Sequence, residues 1–86
     1  MPKTKPELLD RRRGECLMDV RHALGRTQTT MARAMLVHPT TLASWEGAGR
    51  PMPAHRLDQL RAIVEDCPGF SMKQRREWRK RIEAVR

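Results

Sequence analysis

Between residues 27 and 46 the chain runs TQTTMARAMLVHPTTLASWE, a stretch with the marks of two short helices around a tight turn. Apolar or small side chains at Met31, Ala32 and Met35, then Val37, then Leu42 and Trp45 keep helical spacing on either side of a break near Leu36 and Val37. Two helices sharing one core follow. The second has a strong start signal, because Pro39 suits the first helical position and Thr40 and Thr41 come next. Its outer face collects His38, Thr40, Thr41 and Ser44, all short or medium polar groups that can meet a ligand. Trp45 lies on the Leu42 side and is expected in the core.

Around this unit, Thr4 to Glu7 has capping-box spacing and predicts a first helix to about Ala23, with Leu9, Cys16, Leu17, Val20 and Leu24 inward. Gly14 weakens its middle by about 1 kcal/mol relative to Ala, so frayed first turns or a separate short helix are expected. Arg11-Arg12-Arg13 reads as a solvated face beside Asp10 and Glu15, with phosphate contact as the alternative. Gly25 stands where a left-handed helix cap belongs, and Thr27 can cap the next helix. Pro53 opens a fourth helix with Leu57, Leu60, Ile63 and Val64 inward, ended by the Asp66-Cys67-Pro68-Gly69 turn. Ser71 and Gln74 form a second capping box that starts a basic amphipathic helix over 71–86. Its stripe of Trp78, Ile82 and Val85 has three possible covers: its own domain, a second subunit or partner protein, or a membrane surface, the last the least favoured.

The 86 residues leave room for one small domain, residues 1–86, with its core at about 15–66. With no Tyr and only Trp45, Phe70 and Trp78 as aromatics, β-structure is not expected and an all-α five-helix bundle is. The formal net charge of +8 is unevenly spread: +1 over 1–20, +4 over 21–56, −2 over 57–70 and +5 over 71–86. Such a field favours a polyanion, nucleic acid first. Cys16 and Cys67 are too far apart in sequence for a Cys-x-x-Cys site, and Cys16 reads as a buried thiol. No metal and no cofactor are expected. Without a nucleotide-binding loop, a metal-ligand cluster or a coherent acid/base set, neither is an enzyme; His22, His38 and His55 read as surface or capping groups. Neither a signal peptide nor a spanning segment is evident, which predicts a cytoplasmic protein without membrane binding.

The segment Val20 to Val64 resembles the helix-turn-helix of the lambda repressor/Cro (Xre-like) DNA-binding family. The resemblance rests on Thr27-Gln28 opening a helix, on the small Ala32, on a turn at Met35–Val37, and on a recognition helix from His38 ending in an apolar residue and Glu46. Two positions depart from the pattern, Leu36 where the family has Gly and His38 where it has Ser or Thr. A left-handed Leu36 costs on the order of 1 kcal/mol or more, so either strain or a rebuilt turn is expected there.

The resemblance implies a lambda-repressor-like bundle with the recognition helix in the major groove. It implies base contacts from Thr40 and Ser44, then Thr41 and His38, and phosphate contacts from Gln28, Arg33 and, in the loop after the recognition helix, Arg50. For Thr41 a local backbone hydrogen bond is an equal alternative, and for Arg50 an exposed turn charge is. It also implies an ion pair between Arg21 and Glu46, the one acid between Val20 and Leu57. The function expected is a DNA-binding transcription regulator, a repressor acting as a homodimer on an inverted repeat of double-stranded DNA. The alternative is an antitoxin-like module that binds a partner protein and regulates its own DNA site; on either reading Trp78, Ile82 and Val85 are the candidate dimer or partner interface, alongside docking on their own domain.

Overall fold

The computed structural model describes residues 6–47 and 49–86, with side chains from Leu8 onward. Among these residues there is no strand, and five helices follow one another: α1 (Pro6–Ala23), α2 (Gln28–Met35), α3 (Pro39–Glu46), α4 (Ala54–Glu65) and α5 (Met72–Ala84). The expected all-α class is therefore the observed one. The Thr4 end of the first capping box lies outside the described residues.

Three helix starts are chemically explicit. Thr27 Oγ1 accepts from the Thr30 amide at 3.1 Å, and His38 Nδ1 accepts from the Thr40 amide at 3.1 Å. Ser71 and Gln74 complete their box in both directions, at 3.1 Å from the Gln74 amide and 2.8 Å from the Ser71 amide. Each satisfies backbone donors that a helix leaves unpaired in its first turn.

Two helix ends share one hydrogen-bond pattern and differ in its occupant. After α1, the amides of Gly25 and Arg26 donate to the carbonyls of His22 and Arg21; after α2, those of Leu36 and Val37 donate to Arg33 and Ala32. Both are closures of the Schellman type, which place one residue in the left-handed region. Gly25 takes it at φ 70° without hindrance, whereas Leu36 takes it at φ 59° against its own Cβ. The turn is thus kept and the strain accepted. Leu36 gains nothing from burial in exchange, being 84% exposed.

The inward faces of all five helices meet in one core. Cys16, Leu17, Val20, Met31, Ala32, Met35 and Leu42 are fully buried in it, as are Leu57, Leu60, Val64 and Ile82. Burial pushes the Cys16 thiol up to about 11, despite the nearby Arg81 charge, so the thiol is held in its neutral form. Met52, from the loop before α4, is also buried there, a position that helical periodicity does not reveal. α3 packs on α1 and α2, while α5 packs on α4 and α1. Trp78 stacks on Phe70 with ring centroids 6.3 Å apart, and Ile82 and Val85 are buried in the core. Of the three covers considered for this stripe, its own domain is the one it has.

Gly14 is where the structure departs most from expectation. α1 runs through it without a break, and a Cβ built there would lie 2.2 Å from the Trp45 carbonyl oxygen. Gly14 is therefore a contact point at which the backbone of α1 crosses the end of α3, not a flaw in α1. Helix propensity alone favours Gly14→Ala by about 1 kcal/mol. The clash reverses that sign, and urea denaturation should show Gly14→Ala destabilised by about 2–3 kcal/mol. A variant as stable as the parent would mean that the two helices do not approach this closely.

Candidate nucleic-acid interface

The eight residues of α3 are too few to hold a helix in isolation, so its placement depends on neighbours at both ends. Its C-terminal end carries Glu46, a carboxylate where the helix dipole already disfavours negative charge. Arg21 of α1 answers it with two hydrogen bonds, Nε to Oε2 at 2.7 Å and Nη2 to Oε1 at 3.1 Å. The side chains are 12% and 4% exposed, so the pair is nearly dry. Arg21 Nη1 also donates to the Arg26 carbonyl at 3.0 Å, and Gln28 Nε2 donates to Glu46 Oε1 at 3.0 Å. One carboxylate thus gathers α1, the loop after it, α2 and α3.

At the other end His38 turns its polar ring to use. Because Nδ1 accepts the Thr40 amide hydrogen, the neutral ring carries its proton on Nε2, which remains available as a donor. His38 and Thr40 are exposed, and Thr41 and Ser44 are half-buried. Among the described residues the hydroxyls of Thr40, Thr41 and Ser44 make no hydrogen bond within the chain, so all three are open to a ligand. Near the cap the Thr41 backbone amide donates to the His38 carbonyl at 3.0 Å, while among the described residues its hydroxyl makes no local bond.

Cations flank this face on both sides. Arg33 lines a shallow groove with Thr29, Val37, His38 and Pro39, between the outer side of α2 and the start of α3. On the far side the loop after α3 folds back, with the amides of Gly49 and Arg50 donating to the Ser44 carbonyl at 2.9 and 3.3 Å. That places Arg50 beside Ser44 and exposed. Neither Arg33 nor Arg50 has an ion-pair partner among the described residues. Thr29, one turn before Arg33, is the residue that sequence reasoning passed over; its polar spacing with Arg33 along α2 is the signal that marks it.

Gln28 occupies the first turn of α2, where a phosphate was expected, but its side chain is already engaged with Glu46. It retains one further amide hydrogen and the free backbone donors of the helix start. Trp78, Ile82 and Val85 lie elsewhere, and with Ile82 and Val85 buried only the half-exposed Trp78 is left for a dimer or partner contact.

The C-terminal cations divide into two sets. Arg75 donates to the Cys67 carbonyl at 2.7 Å, Arg79 pairs with Glu65, Arg81 with Asp19, and Arg86 with Asp58 and Glu83. The Arg86 hydrogen bond holds the Glu83 carboxyl below its ordinary range. Lys73, Arg76 and Lys80 are exposed and unpaired among the described residues. Arg13, expected on a solvated face, instead donates to the carbonyls of Val85 and Arg86, both at 2.7 Å, and to that of Met52 at 3.2 Å. It fastens the end of α5 to α1 and to the loop before α4.

No group of three or more potential ligands among the described residues is placed to hold a metal ion, and no helix among them is long and apolar enough to cross a membrane.

Removing Arg21 would leave Glu46 dry and unpaired at a helix C-terminus. Arg21→Ala should therefore lower unfolding stability by about 3–5 kcal/mol in chemical denaturation. A loss below about 1 kcal/mol would place the pair in solvent instead. Against protein-family models, curated proteins and solved structures, the chain finds no match.

Proposed function

We propose that the chain is a double-stranded DNA-binding transcription regulator of the lambda repressor/Cro type, and not an enzyme. The observation that carries this reading is the face of α3. Its unbonded hydroxyls at Thr40, Thr41 and Ser44 and its imidazole donor at His38 stand between the unpaired Arg33 and Arg50. The one acid nearby, Glu46, is neutralised by Arg21. A helix with hydrogen-bonding groups in the middle and cations at its flanks suits a major groove, where base edges lie between two phosphate rows.

In this reading Thr40 and Ser44, four residues apart, take the base contacts, with Thr41 and His38 beside them. Arg33, Arg50 and Gln28 position the domain through phosphates. α3 has no Arg, Asn or Gln, so it lacks the bidentate base readers and each contact is modest. A homodimer on an inverted repeat offsets this by using two such helices, with half-sites about 34 Å apart on one face of the duplex. Repression by occupying a promoter is the simplest action for such a domain. The partner-protein alternative relied on the stripe of α5, most of which now lies in the core.

Selection of binding sites from random duplexes at near-physiological salt should enrich an inverted repeat. Thr40→Ala and Ser44→Ala should each reduce discrimination at their own base positions by roughly fivefold, the value of about one hydrogen bond, while the fold is kept. Enrichment identical to the parent in both variants would remove α3 as the reader.

A further inference from the structure

α3 offers few of the groups that read a base edge. Guanine is read by Arg or Lys, adenine by Asn or Gln, and cytosine by a carboxylate that accepts from its amino group. α3 holds no Arg, Lys, Asn or Gln. Its one carboxylate, Glu46, is bound by Arg21 and by Gln28. The hydroxyls of Thr40, Thr41 and Ser44 can serve any base. Thymine differs from the other three in showing an apolar group, its C5 methyl, in the major groove.

A seat for that methyl lies at the start of the helix. The shallow groove between α2 and α3 is mainly apolar, with Val37 and Pro39 in its lining. Both are half-buried, and Val37 packs against the core, so this surface is held in place. His38 lines the same groove, and its cap orients the ring: Nδ1 accepts the Thr40 amide hydrogen at 3.1 Å, which leaves the Nε2 proton on the other side. Arg33 also lines the groove, exposed and without an ion-pair partner among the described residues. An apolar surface, an oriented donor and a cation thus meet in one place. A thymine in a duplex matches all three, with its methyl, the O4 acceptor beside that methyl, and a phosphate.

We infer that the groove between α2 and α3 selects thymine. The C5 methyl rests on Val37 and Pro39, O4 accepts from His38 Nε2, and Arg33 holds a phosphate of the same half-site. Cytosine is rejected twice, because it lacks the methyl and sets an amino donor where O4 would accept. This rests on the DNA-binding reading above and names the base that the reading leaves open.

Deoxyuridine, which lacks only the methyl, tests the apolar seat. Each thymine of the half-site enriched by the parent is replaced by it in turn, and affinity is measured for the parent, Pro39→Ala and His38→Ser, with circular dichroism to check the fold. Ser retains the helix cap while removing the imidazole donor. At one position the parent should lose about fourfold, the worth of one methyl group removed from water, and Pro39→Ala should lose less than about twofold. At that position 5-methylcytosine opposite guanine keeps the methyl and replaces the acceptor with a donor. It should cost the parent roughly tenfold and His38→Ser no more than about threefold. A half-site without thymine, deoxyuridine tolerated at every position, or costs equal in parent and variants would each overturn the assignment while leaving the DNA reading standing. Failure to enrich any duplex would overturn both.

Discussion

A carboxylate at the wrong end of a short helix constrains the whole arrangement. Glu46 sits in the last turn of α3, 4% exposed, where both the helix dipole and burial oppose its charge. The bidentate contact with Arg21 is what makes that position tenable. Because Arg21 belongs to α1 and also holds the Arg26 carbonyl, and because Gln28 of α2 reaches the same carboxylate, satisfying one charge fixes three helices relative to one another. Gly14 adds the close crossing that lets α1 reach the end of α3. The face of α3 turned to solvent follows from these contacts and from the His38 cap.

Arginine serves elsewhere in the same capacity. Arg56 donates to the Met35 carbonyl at the end of α2 and lies over the Trp45 ring, with its guanidinium carbon 5.7 Å from the centroid. Arg75 holds the Cys67 carbonyl after α4, and Arg13 holds the carbonyls of Val85 and Arg86 after α5. Helix C-termini leave carbonyls unpaired, and a guanidinium satisfies them with a charge of the favourable sign. Fewer of the 18 basic side chains are therefore free to reach a polyanion than their number suggests. Within 21–56, Arg21 and Arg56 are engaged internally, which leaves Arg26, Arg33 and Arg50; within 71–86, four of the seven cations are engaged, which leaves Lys73, Arg76 and Lys80.

Much of this was legible in the chain. The helix starts at Thr27, Pro39 and Ser71 announce themselves because capping depends on residues within one turn of each other. The inward stripes were legible for the same reason of periodicity. Gly14 was not, because propensity is a local property and the reason for a glycine there is the Trp45 carbonyl thirty-one positions away. Arg13 was misjudged as part of a solvated run, since nothing near it in sequence indicates the carbonyls of residues 52, 85 and 86. The α5 stripe showed that Trp78, Ile82 and Val85 need cover but could not say from what. The α2–α3 turn was the converse case: sequence named the strain at Leu36, and only the folded structure shows that the turn keeps its shape and bears it.

On the DNA-binding reading proposed above, α3 and the start of α2 are the parts that meet a duplex. The most direct measurement is a titration of isotopically labelled protein with double-stranded DNA, followed through the backbone amide resonances. The largest shifts should fall at Thr27 to Thr29 and His38 to Ser44, with Arg50 next and α5 nearly silent. Shifts concentrated at Lys73, Arg76 and Lys80, with α3 unmoved, would contradict it and make the C-terminal helix the nucleic-acid surface.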